Sequence, residues 1–186
     1  MNWSYCKISD FSSEEYDKAY ENLSLSRKQR IDRLTAPDSR KRSLAGELLV
    51  LQTLKKEYNI DGVIECDEKG RPYLKENKIF ISIAHSGEYV ACAVDESPIG
   101  IDIEKIRDID FKISNRICTE EEKEYLFKNE KQRLYRFYEI WTAKEAFFKM
   151  QGTGIKNFKS VNILELNRKV FNLGEYLVQI VKKDEF

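Results

Sequence analysis

The sequence predicts an α+β fold, and three observations carry that expectation. Helical periodicity precedes strand-like segments in each half of the chain, over residues 14–34 and 38–58 and again over 120–128 and 133–150. Two apolar segments, 79–83 and 89–94, flank a turn at Gly87-Glu88 and read as a hairpin. Ser97-Pro98 then breaks the pattern and divides the 186 residues into 1–97 and 98–186, each long enough for a small lobe. Each half reads as helices plus strands, which leaves room for an internally duplicated fold.

The elements follow in order. Residues 14–34 are helical but polar and interrupted. Within 38–58, Leu44, Leu48, Leu51 and Leu54 recur at helical spacing. Gly62 ends that region, 63–66 is a short strand, and Lys69-Gly70-Arg71-Pro72 is a turn. The Tyr89-Val90-Ala91-Cys92-Ala93-Val94 run reads as a buried strand, and 99–104 as another. Thr119 followed by Glu122 is a capping box that opens a helix. The long helix over 133–150 is stopped by Gly152-Thr153-Gly154. Two last strands are expected at 161–166 and 176–181.

Lys plus Arg and Asp plus Glu number 32 each, so the chain lacks the basic excess of a dedicated nucleic-acid binder. No apolar run is long enough to cross a bilayer. The first ten residues lack the charged and apolar regions of a secretory leader, so a cytoplasmic protein is expected. Cys6, Cys66, Cys92 and Cys118 are widely spaced without a Cys-x-x-Cys pair, and read as reduced thiols.

Chemistry gathers in two short segments. In the strand Ile99-Gly100-Ile101-Asp102-Ile103-Glu104, alternate side chains share a face, so the isoleucines point to a core while Gly100, Asp102 and Glu104 point the other way. The two carboxyl-bearing Cβ atoms then stand about 7 Å apart, within reach of one hard cation that keeps waters and phosphates as its other ligands. Gly100 lets something approach the backbone of that face. By itself Asp102-x-Glu104 reads as the acidic face of a half-wet strand.

In Trp141-Thr142-Ala143-Lys144-Glu145-Ala146-Phe147-Phe148-Lys149, Glu145 and Lys149 are neighbours four residues apart on a helix, with Trp141 one turn earlier. An ordinary surface ion pair explains that spacing. The surrounding Ala143, Ala146, Phe147 and Phe148 instead call for a partner to the carboxylate, which a metal and Lys149 would supply.

His85, the one histidine, sits where a strand ends and a turn begins, placed to donate to a phosphate oxygen. Residues 27–42 hold seven basic side chains against Asp32 and Asp38, either a solvated helix face or a phosphate-binding one. Arg71, in a turn before Pro72, is a similar candidate.

Taken together these residues resemble the Sfp-type 4′-phosphopantetheinyl transferases. The resemblance runs from the basic 27–42 segment through Gly70-Arg71-Pro72, His85-Ser86-Gly87 and Gly100-Ile101-Asp102-Ile103-Glu104 to the Trp141–Gly154 stretch. It implies two similar lobes related by a pseudo-two-fold axis, each a small antiparallel sheet packed with helices, with coenzyme A between them. It implies Asp102, Glu104 and Glu145 as ligands of Mg²⁺ or Mn²⁺, Glu145 also as the base, and Lys149 as a catalytic lysine at the phosphates. It implies that His85 contacts the 3′-phosphate of coenzyme A, that Arg27, Arg30 and Ser43 contact phosphates, and that Arg71 lies beside the nucleotide. Two departures stand out. Ala84 replaces the serine usual before the histidine, which removes one hydroxyl donor. The chain also ends soon after 176–181, where longer relatives continue into a strand echoing 89–94, so the second sheet is expected to lack that counterpart.

The expected activity is transfer of 4′-phosphopantetheine from coenzyme A to a serine of an apo acyl or peptidyl carrier protein, releasing adenosine 3′,5′-bisphosphate. A monomer suffices, because both lobes lie in one chain. The carrier is expected against 119–138, through Leu126, Phe127 or Tyr135. A Mg²⁺-dependent nuclease or phosphodiesterase is a second reading, opposed by the neutral charge. A non-catalytic carrier-binding module is a third, motivated by Ala84 and the short C-terminus.

Overall fold

The computed structural model describes residues 1–154 and 157–183. The first lobe opens with β1 (Asn2–Lys7), then α1 (Ser13–Glu21), α2 (Leu25–Asp32) and the long α3 (Pro37–Tyr58). A small hairpin, β2 (Ile64–Cys66) and β3 (Pro72–Leu74), precedes the closing hairpin of β4 (Phe80–Ser86) and β5 (Tyr89–Asp95). The second lobe repeats the plan: β6 (Ile99–Lys105), α4 (Ser114–Ile117), α5 (Glu120–Phe127), the long α6 (Arg133–Gln151), then β7 (Arg168–Leu173) and β8 (Tyr176–Lys182).

The sheets have orders β1-β5-β4 and β6-β8-β7, all neighbours antiparallel. In each, the opening strand pairs with the last strand of the closing hairpin. The chain is therefore built twice on one topology. β8 is itself the counterpart of β5, which corrects the expectation of a second sheet lacking that strand.

Strand β5 explains how the lobes join. Val90, Cys92 and Val94 pack with Leu49, Val50 and Leu54 of α3 in the first core. Ala91 and Ala93, with Ala84 of β4, face the other way, onto Ile99, Ile101 and Ile103 of β6 and Val178 and Ile180 of β8. β5 is buried on both faces, which is why it reads as a continuous apolar run. Small side chains on one sheet meet large ones on the other, and each isoleucine removed from water contributes about 1.5–3 kcal/mol. α6 covers the outer face of β6 and β8 so closely that a Cβ at Gly100 would lie 1.9 Å from the Ala146 carbonyl oxygen. The close approach expected at Gly100 is that of α6.

At one side of this core, edge strands β4 and β6 are joined by serine hydroxyls. Ile101 N donates to Ser82 Oγ and Lys105 N to Ser86 Oγ, each at 3.1 Å. At the other side Trp3 of β1 packs at a tilt against Phe171 of β7, with ring centroids 4.5 Å apart.

The helices lie close to their expected bounds, and the 119–122 capping box is present. The strand expected over 161–166 is absent. Asn157 and Asn162 accept hydrogen bonds from Lys159 N and Leu164 N and start short 3₁₀ turns there. The strand lies later, as β7.

Candidate active site

Two elements bring the acidic groups together. β6 supplies Asp102 and Glu104 on its α6 face, and α6 supplies Glu145 and Lys149 one turn apart. Lys149 Nζ meets Asp102 Oδ1 at 2.7 Å. Asp102 is 5% exposed, and its Oδ2 is buried without a hydrogen-bond partner. Burial pushes the Asp102 carboxyl up to about 7, against the pull of Lys149 and with the repulsion of Glu145 and Glu104. Burial likewise raises Glu145, again opposed by Lys149 and aided by Glu104. Glu104 takes its hydrogen bonds from neutral donors, Ser86 Oγ at 2.7 Å and Trp141 Nε1 at 3.4 Å.

Three carboxylates thus share the field of one ammonium. The unpartnered Oδ2 and this excess of negative charge fit a divalent cation. Among the described residues no three acid, histidine or cysteine groups stand close enough to form a cage by themselves. A cation there would have to draw further oxygens from outside the protein, as hard ions commonly do.

A cleft of about 330 Å³ opens beside these groups, between the lobes. Ile81 and Ile83 of β4 line it, with Arg30 and Arg71 from the first lobe and Glu145 and Lys149 from the second. Arg30 lies over the backbone of Gly70. Arg71 crosses to the second lobe, where Nη2 donates to Met150 O at 3.5 Å and the guanidinium covers Gly152, the left-handed residue (φ 66°) that ends α6. His85 is exposed at the end of β4. The protein crowded about it, then the charges of Lys149 and Arg42, hold its imidazole below the ordinary histidine range.

Other expected residues are placed differently. Arg27 is 4% exposed, with Nε on Glu47 Oε2 at 2.8 Å and its other nitrogens near Cys66 Sγ and Ser43 Oγ. It ties α2 to α3 rather than facing the cleft, and Ser43 is drawn into the same contact. Ala84 points into the core between the sheets, on the face of β4 opposite His85, so its missing hydroxyl is not missing from the cleft. Lys144, beside Glu145 in sequence, is fully buried on Glu122 at 2.5 Å and caps the carbonyls of Ile117 and Phe158. Leu126 is buried in the second lobe's core, while Phe127 is 49% exposed. Sequence reasoning missed Ser86 and Trp141 as holders of Glu104, and Arg42 as a neighbour of His85.

The comparisons with known proteins agree with this architecture. A family model described as the 4′-phosphopantetheinyl transferase superfamily matches residues 98–183, and one described as 4′-phosphopantetheinyl transferase, N-terminal, matches residues 10–97. The 4′-phosphopantetheinyl transferase Sfp of Bacillus subtilis (strain 168) is 31% identical over 149 residues, 77% of this chain and 66% of its own length. The 4′-phosphopantetheinyl transferase gsp of Aneurinibacillus migulanus is 36% identical over 138 residues, 72% of this chain and 58% of its own. That of Bacillus pumilus, psf-1, is 36% identical over 121 residues, 62% of this chain and 52% of its own. The chain therefore spans between 52% and 66% of the length of these curated relatives. A two-lobed α+β chain with carboxylates and a lysine at the lobe boundary defines a class, and this chain belongs to the 4′-phosphopantetheinyl transferase superfamily. Within it, the chain is of the Sfp type.

Proposed function

We propose that the chain transfers 4′-phosphopantetheine from coenzyme A to a serine hydroxyl of an apo acyl or peptidyl carrier protein. It does so as a cytoplasmic monomer, and adenosine 3′,5′-bisphosphate leaves. The observation that carries this reading is the meeting of Asp102, Glu104, Glu145 and Lys149 at the mouth of a basic cleft between the lobes.

Asp102, Glu104 and Glu145 would hold Mg²⁺ or Mn²⁺, which when bound supplies charge neutralisation and a template for the pyrophosphate. Arg30 and Arg71 grip phosphate oxygens with charge-assisted hydrogen bonds. His85, with Lys149 and Arg42 beside it, receives the 3′-phosphate. Glu145, one helical turn before Lys149, accepts the proton of the carrier serine, directly or through a water. The serine oxygen then bonds to the phosphorus that carries pantetheine, and the bond from that phosphorus to the oxygen of the departing bisphosphate breaks. Lys149 neutralises the charge that develops on that oxygen, since this chemistry rests on positioning and charge stabilisation. The carrier docks on the 119–138 face, where Phe127 is exposed.

The test mixes the protein with Mg²⁺, coenzyme A and a panel of apo-carriers, and reads addition of phosphopantetheine by intact mass. Failure to modify any carrier, with coenzyme A unconsumed, overturns the reading.

A further inference from the structure

All three proposed metal ligands belong to the second lobe, yet one of them is held from the first. Ser86 lies at the end of β4, 9% exposed, and its hydroxyl makes two contacts across the lobe boundary. It accepts from Lys105 N at 3.1 Å and meets Glu104 Oε2 at 2.7 Å. A hydroxyl has one proton, and the backbone N–H supplies its own, so the serine proton is directed to the carboxylate. The other oxygen of Glu104 has the longer 3.4 Å contact from Trp141 Nε1. Glu104 is only half-buried and has the rotamer freedom of a long side chain. Without Ser86 that one long contact remains to orient it.

We propose that Ser86 is a positioning residue, which holds the Glu104 carboxylate from across the lobe boundary in the pose that receives the divalent cation. The proposal rests on the metal-site reading above. Asp102 is held differently, by Lys149 within its own lobe. Metal affinity therefore senses how the first lobe is seated on the second, and it does so through Glu104.

The fold supplies a control. Ser82, two face-repeats earlier on β4, accepts from Ile101 N at the same 3.1 Å and joins the same two strands. No carboxylate contact accompanies it among those described. Removing either hydroxyl weakens the boundary, but only the loss of Ser86 releases Glu104.

The experiment measures Mn²⁺ binding to the full chain, without coenzyme A or carrier, by electron paramagnetic resonance, with thermal midpoints recorded in parallel. Ser86→Ala weakens Mn²⁺ binding about 10-fold or more, the usual cost of removing a group that orients a metal ligand. Ser82→Ala lowers the thermal midpoint comparably and leaves Mn²⁺ affinity unchanged. Should Ser86→Ala fail to fold, Ser86→Cys, with its weaker donor, reads the same contrast. Equal effects of the two alanine variants on Mn²⁺, or none from either, overturn the positioning role while the metal site stands. A wild-type chain that binds no Mn²⁺ overturns the metal-site reading and this proposal with it.

Discussion

Strands β4 and β6 meet at one side of the core between the sheets, and their counterparts β7 and β1 face each other at the other side. The first boundary is polar: two serine hydroxyls, a glutamate and a cleft. The second is aromatic: Trp3 packs between Phe171 and Tyr5, and Tyr5 leads on to Tyr89 and Tyr176. The long helices differ in the same sense. Each carries a glutamate withdrawn from solvent. Glu47 on α3 has a guanidinium of its own, from Arg27 at 2.8 Å. Glu145 on α6 shares one lysine with Asp102 and feels the repulsion of Glu104. A duplicated fold offers two boundaries and two helix glutamates. In this chain one of each is closed with matched partners, and the other is left short of positive charge. The shortage marks the candidate site.

The contrast breaks most sharply at the two glutamates. Glu145→Gln keeps shape and removes the proposed base, so turnover on an apo-carrier is expected to fall at least about 100-fold while the thermal midpoint holds. A normal rate of modification by mass spectrometry would remove Glu145 from the chemistry. Arg27→Met does the reverse. It strands Glu47 in the interior and lowers the stability measured by urea unfolding by about 3–5 kcal/mol. If stability held and coenzyme A affinity fell instead, Arg27 would be a phosphate ligand after all and the contrast would collapse. Trp3→Ala opens the aromatic boundary at a cost of about 2 kcal/mol, because the ring is only partly buried. Mn²⁺ binding should not change, and a loss of metal affinity there would show that both boundaries serve the site.

The smallest effect concerns His85. Its imidazole is held below the ordinary range, so it is neutral in the free protein at neutral pH. An anion bound against it stabilises the protonated form, so binding takes up a proton. Coenzyme A affinity therefore rises a few-fold as pH falls from about 8 to about 6, and calorimetry on His85→Ala loses that slope. An identical pH dependence in the variant would separate His85 from the phosphate.

Much of the fold was legible because periodicity and punctuation agreed. The leucine spacing gave α3, Thr119 with Glu122 gave the start of α5, and Gly152 gave the end of α6. The final hairpin was half read. Residues 161–166 are apolar enough for a strand, but Asn157 and Asn162 bend the chain into turns, while β7 opens with Arg168-Lys169 and does not look apolar. At the site, Asp102, Glu104, Glu145 and Lys149 were legible because strand and helix spacing fix shared faces. Arg27 misled because a run of charge reports sign and not burial. Ser86 was invisible because its partners, Lys105 N and Glu104, come from a strand that nothing in the sequence pairs with β4.

The alanine face of the first sheet has a consequence for the halves taken separately. Ala84, Ala91 and Ala93 fit a surface crowded with isoleucine and valine. Two copies of the first half, set face to face, would leave a hollow layer where methylenes are missing. Two copies of the second would overfill the same space. The halves are therefore unlike partners, like a mould and its casting. A mixture of the separate lobes would favour the mixed pair over either symmetric one, by shape and not by charge.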